Sequence, residues 1–63
     1  MKLKDLEMVL HYIRTKYLGG SDDYKVNLWN EIGSVVIGIH KENPMVSRTF
    51  RYEDVLQDML HDE

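Results

Sequence analysis

The chain has no cysteine, one proline, one tryptophan and one phenylalanine among its 63 residues. Without cysteine it forms no disulfide and none of the common thiolate zinc sites. It has no apolar run long enough to span a bilayer, and the start, Met1-Lys2-Leu3-Lys4-Asp5, lacks the apolar core of a signal peptide. A cytoplasmic location is the expectation. Gly19-Gly20 lacks the lysine or glycine repeat that a phosphate-binding loop needs. Ser21-Asp22-Asp23-Tyr24 lacks the ligand spacing and closing glutamate of a calcium loop. Ser21, Ser34, Ser47, Thr15 and Thr49 sit in no strand–glycine–helix elbow, and none has a histidine and an acid at an interpretable position. No catalytic residue, metal or cofactor is assigned, and the chain is expected not to be an enzyme.

A chain of 63 residues makes one domain, spanning residues 1–63. Domains of this size bury only about 60% of the surface their unfolded chain exposes, so stability is marginal. With disulfides excluded, a second subunit is the most accessible support, and a homodimer is expected.

What is present is a change of period along the chain. Leu3, Leu6, Leu10, Ile13 and Tyr17 recur at spacings of 3, 4, 3 and 4, with Val9 widening the stripe, which predicts a helix over 3–18 stopped by Gly19-Gly20. From Lys25 to Trp29 the residues alternate, with Val26 and Leu28 on one face. Val35, Ile37 and Ile39 form the most apolar alternating run. Asn30-Glu31-Ile32-Gly33 suits a type I turn, which pairs Trp29 with Ser34 and Val26 with Ile37. A two-residue Ile32-Gly33 turn keeps the same faces but needs a positive φ, which isoleucine resists. Lys41-Glu42-Asn43-Pro44 makes the next reversal, and Met45–Phe50 a third strand with Val46 and Phe50 inward. Tyr52, Val55, Leu56, Met59 and Leu60 then form the stripe of a second helix ending near His61. The expected fold is α+β: an α-β-β-β-α domain with a three-stranded antiparallel meander and two helices packed on one face.

The net charge of −3 is unevenly spread: residues 51–63 carry Arg51 against Glu53, Asp54, Asp58, Asp62 and Glu63. Such a segment disfavours nucleic acid, which calls for clustered lysine and arginine, and suits a basic protein surface. Asp54, Asp58 and His61 share a helix face, but with no second ligand pair they read as a solvated polar face and not a metal site. Met8 and Tyr12 fall on the side of the first helix away from its stripe. Trp29, Val36, Gly38, His40 and Lys25 lie on the sheet face opposite the aliphatic one, and Tyr24 falls off the expected core. In size, acidity and lack of cysteine the chain resembles small binding proteins of phages and mobile elements, a resemblance that implies an antagonist of a host-defence protein.

The leading expectation is therefore a non-enzymatic inhibitor or regulator that binds a larger, basic protein. Its contact residues are Met8, Tyr12, Tyr24, Trp29, Val36, His40, Asp54, Asp58, Asp62 and Glu63. The alternative is a homo-oligomer sequestering a small ligand, such as a nucleotide, between subunits. The third is a weak nucleic-acid-binding accessory. In the expected homodimer, Trp29 and Val36 lose exposure to the partner copy.

Overall fold

The computed structural model describes residues 2–61. Helix α1 (Leu3–Tyr17) is followed by strands β1 (Lys25–Glu31), β2 (Ser34–Lys41) and β3 (Val46–Arg51) and by helix α2 (Tyr52–His61). The strands form one antiparallel sheet in the order β1-β2-β3. This is the α-β-β-β-α arrangement that the periodicities imply. Helix α1 ends one residue earlier than its pattern implies, with Gly19 at φ 64° and the Gly20 N–H donating back to the Arg14 carbonyl at 2.8 Å. Glycine alone adopts that conformation without cost, so the pair ends the helix.

The hairpin differs from the sequence expectation in register. Glu31, not Trp29, faces Ser34, and Val26 faces Ile39, a slip of two residues relative to the four-residue turn. The connection is the two-residue turn, with Ile32 at φ 50° and Gly33 at φ 76°. Two positive φ values give the turn whose twist matches the strands, and the longer ladder it permits outweighs the strain at Ile32. A slip of two keeps every side chain on its face, so the aliphatic residues remain together. Strand β3 begins at Val46 and runs through Arg51, leaving Met45 exposed in the turn beside Asn43, which adopts φ 60°.

The core consists of Val9 and Ile13 from α1, Ile37 and Ile39 from β2, and Val55 from α2. Helix α2 packs on β2 and β3, and α1 packs on α2. The apolar stripe of α1 is centred on Val9 and Ile13 and not on Leu6 and Leu10, so Leu3 at its margin is exposed and Tyr12 swings into contact with the core. Leu60 likewise falls outside the α2 stripe and is exposed. Tyr24, expected off the core, also packs against it. The largest departure is β1. All of its seven residues are exposed, including Val26 and Leu28 at 45% each, although both share the aliphatic face. The helices cover the second and third strands and leave the first open.

The opposite sheet face is not bare. Val36 is only 5% exposed within the single chain, so it is not available to a partner as the sequence suggested. Trp29, its cross-strand neighbour, closes over Gly38: a Cβ placed there would lie 2.6 Å from the indole Cζ3 and 2.9 Å from Cη2. The absence of a side chain at position 38 is what lets the ring settle on the sheet. Gly38→Ala should displace the indole and cost about 1–3 kcal/mol, as overpacking typically does. Because Trp29 is the sole tryptophan, its fluorescence reports the site alone. A red-shifted emission is expected, and unchanged emission and stability would show that the ring does not rest on Gly38. Ile32 is 95% exposed, so its strain is offset by no packing. Ile32→Asn should stabilise the protein by roughly 1 kcal/mol, read as a higher denaturant midpoint at unchanged slope, since asparagine tolerates left-handed backbone. A lowered midpoint would mean that Ile32 contributes more than its exposure suggests.

Candidate functional site

The described residues hold a structural hub and two open surfaces. The hub is Tyr17. Its hydroxyl donates to Asp58 Oδ2 at 2.8 Å, and its carbonyl accepts from Arg48 Nη1 at 3.1 Å. The Arg48 guanidinium lies 5.4 Å from the Tyr17 ring centroid and 5.3 Å from that of Phe50, and the two rings stand 5.2 Å apart. One side chain thus ties the end of α1 to α2 and to β3. Tyr12 meets Tyr17 edge to face at 6.3 Å, and Lys16 Nζ lies 5.1 Å from the Tyr12 ring. Arginine and lysine over aromatic faces are held by the ring quadrupole, most strongly where water is partly excluded.

The first open surface is a shallow groove of about 370 Å³ along the outside of α1 and α2, with Met8, Tyr12 and Met59 as its apolar lining and Lys4, Glu7 and His11 at its margin. Met8 is exposed, as its helical position implied, while Tyr12 is half-buried. The second surface is the uncovered part of the sheet along β1. A smaller crevice of about 150 Å³ lies between α1 and the sheet, lined among others by Leu10, Arg14, Tyr24 and Val26. At its mouth Arg14 Nη1 pairs with Asp22 Oδ1 at 2.7 Å.

The residues expected to bind a partner do not converge. Met8 and Tyr12 line the groove. Tyr24 sits against the core with Lys41 Nζ 4.8 Å from its ring centroid. Trp29 and Val36 lie on the opposite sheet face, and His40, half-buried on that face, stands across from Lys25. Asp54 is exposed on α2, whereas Asp58 is engaged by Tyr17. Asp62 and Glu63 lie outside the described residues. Met59 packs against the core as its stripe implies and also lines the groove, whereas Val26 and Leu28, on the aliphatic face, meet solvent. The available signal for the strand residues was topological: β1 is a terminal strand of the meander. Among the described residues no three histidine, cysteine, aspartate or glutamate side chains come together to hold a metal ion, and no helix is long and apolar enough to cross a membrane. No protein-family model, curated protein or solved structure matches this chain.

The hydrogen bond to Asp58 raises the Tyr17 pKa above its usual value, with burial and the carboxylate charge adding to it. The folded state therefore holds this proton more tightly than the unfolded chain, whose tyrosine titrates near about 10. The stabilisation is complete below that pH and is lost as pH rises through the higher folded value. Tyr17→Phe should cost about 0.5–1.5 kcal/mol at neutral pH, the usual net contribution of such a bond. The difference from wild type should shrink in strongly alkaline buffer. An equal difference at neutral and alkaline pH would remove the Tyr17–Asp58 bond as its cause.

Proposed function

We propose that this chain is a non-enzymatic interaction protein, an inhibitor or regulator that acts in the cytoplasm by covering a basic surface of a larger protein. The observation that supports this reading is the outer side of α2. Glu53, Asp54 and Gln57 are exposed there, and Leu60, about one turn beyond Gln57 and two beyond Glu53, is exposed as well. Helix α2 carries no lysine or arginine. An exposed leucine on a helix whose only charged residues besides His61 are acids has the composition of a contact patch: an apolar residue gains from burial, and the charges steer and select a basic partner. Glu53 and Asp54 in the first turn also suit the helix dipole, so their position alone has a folding reason. Leu60 has none, because a leucine left in water contributes nothing to the core.

The test is comparative capture from extract of the source organism. The wild type should retain a protein that Glu53→Lys/Asp54→Lys loses, and raised salt should weaken that retention. Like charges brought together at an interface cost enough to weaken affinity by more than about tenfold. Both substituted positions are exposed, so circular dichroism should report an unchanged fold. Equal retention by wild type and the reversed variant would overturn the reading.

A further inference from the structure

The free edge of β1 is complementary to itself. Glu31 and Ser34 flank a two-residue turn, so they exchange hydrogen bonds, and the ladder alternates from there. Glu31, Trp29, Asn27 and Lys25 direct their N–H and C=O groups inward to β2. Val26, Leu28 and Asn30 direct theirs outward, where no strand follows. The edge carries no proline. It therefore lacks one of the devices that stop a strand from pairing further.

We propose that β1 pairs antiparallel with β1 of a second copy, about a two-fold axis at Leu28, to make one continuous sheet across the dimer. A two-fold axis normal to the sheet keeps faces in common, so it permits only registers that oppose residues of like parity. Centring on Leu28 is the one that uses all three outward residues: Val26 faces Asn30 of the second copy, Leu28 faces Leu28, and Asn30 faces Val26. The same register sets Lys25 opposite Glu31 at both ends of the ribbon, and Asn27 opposite Trp29. Lys25 and Glu31 then stand in non-hydrogen-bonded positions, where side chains approach most closely. On the helix-bearing face, the exposed Leu28 and Val26 of the two copies become diagonal neighbours and cover one another. The other edge has no such property. Strand β3 carries Arg48 and Arg51 and no acid, so pairing with itself gathers like charges. This proposal uses β1 alone and is independent of the acidic face of α2.

Sedimentation equilibrium from low micromolar to near-millimolar protein tests it. The wild type should dimerise reversibly. Lys25→Glu and Glu31→Lys should each weaken association by about tenfold or more, since each sets two like-charge pairs across the axis. An equimolar mixture of the two variants should recover the dimer, because every cross-strand pair is again opposite in sign. Leu28→Asp, on the other face of the strand, should abolish it by setting two carboxylates opposite each other. A wild type that remains monomeric at the highest concentration overturns the proposal. So does a mixture no more associated than its components, or a Leu28→Asp variant as dimeric as the wild type, which would point to stacking of the Trp29 faces instead.

Discussion

The structure depends on four consecutive residues of the middle strand, Val36 to Ile39, buried on both faces of the sheet. Ile37 and Ile39 meet Val9, Ile13 and Val55 beneath the helices. On the other side Trp29 closes over Gly38, and Val36 lies between its cross-strand neighbours Trp29 and Arg51. In a chain this short, the second layer cannot be another helix or sheet, because the residues are already spent. A single indole laid across a glycine covers part of the middle strand on that face instead. An aromatic side chain buries a large area with two torsions to fix, so it is an economical cover for one strand.

Closing the sheet in this way dictates where surface remains. The helix layer is fastened at one corner by Tyr17, which reaches Asp58 on α2 and Phe50 and Arg48 on β3. That fastening draws the layer toward β2 and β3. Val26 and Leu28, aliphatic and on the correct face, are left outside its cover. The exposed apolar residues of β1 are thus a consequence of how two short helices are tied to three strands. The acids of α2 and the alternating polar residues of β1 frame surfaces that packing has not used.

The element order was legible because the period of the apolar residues changes cleanly from helix to strand and back, and because Gly19-Gly20 and residues 41–44 punctuate it. The faces of the strands were legible for the same reason. The hairpin register was not. Isoleucine at a positive φ is disfavoured locally, and only the ladder gained elsewhere reverses the balance at Ile32. Tyr12 and Tyr24 were misplaced because a helical wheel gives angles without saying where the buried direction lies. Shifting the centre of α1 from Leu6 and Leu10 to Val9 and Ile13 brings Tyr12 to the flank of the core. Of the candidate contacts, the exposure of Met8 and Asp54 followed from helical phase. The burial of Val36 did not, because it lies on the face away from the helices, in the middle strand between Trp29 and Arg51.

The strained turn and the free edge are connected. Had the chain turned through Asn30-Glu31-Ile32-Gly33, β1 would have ended at Trp29 and Glu31 would have been a loop residue. The two-residue turn extends the strand through Glu31 and places an acid six residues from Lys25 on the same face. It also sets the phase of the ladder, sending the N–H and C=O groups of Val26, Leu28 and Asn30 outward, with Leu28 midway between the two charges. A strand of seven residues whose end charges are opposite in sign is complementary to its own antiparallel copy, whereas a strand ending at Trp29 would carry Lys25 alone. The conformational cost at Ile32 is thus linked to a property of the edge that lies outside the turn, and a local rule is broken where the strand as a whole gains a surface.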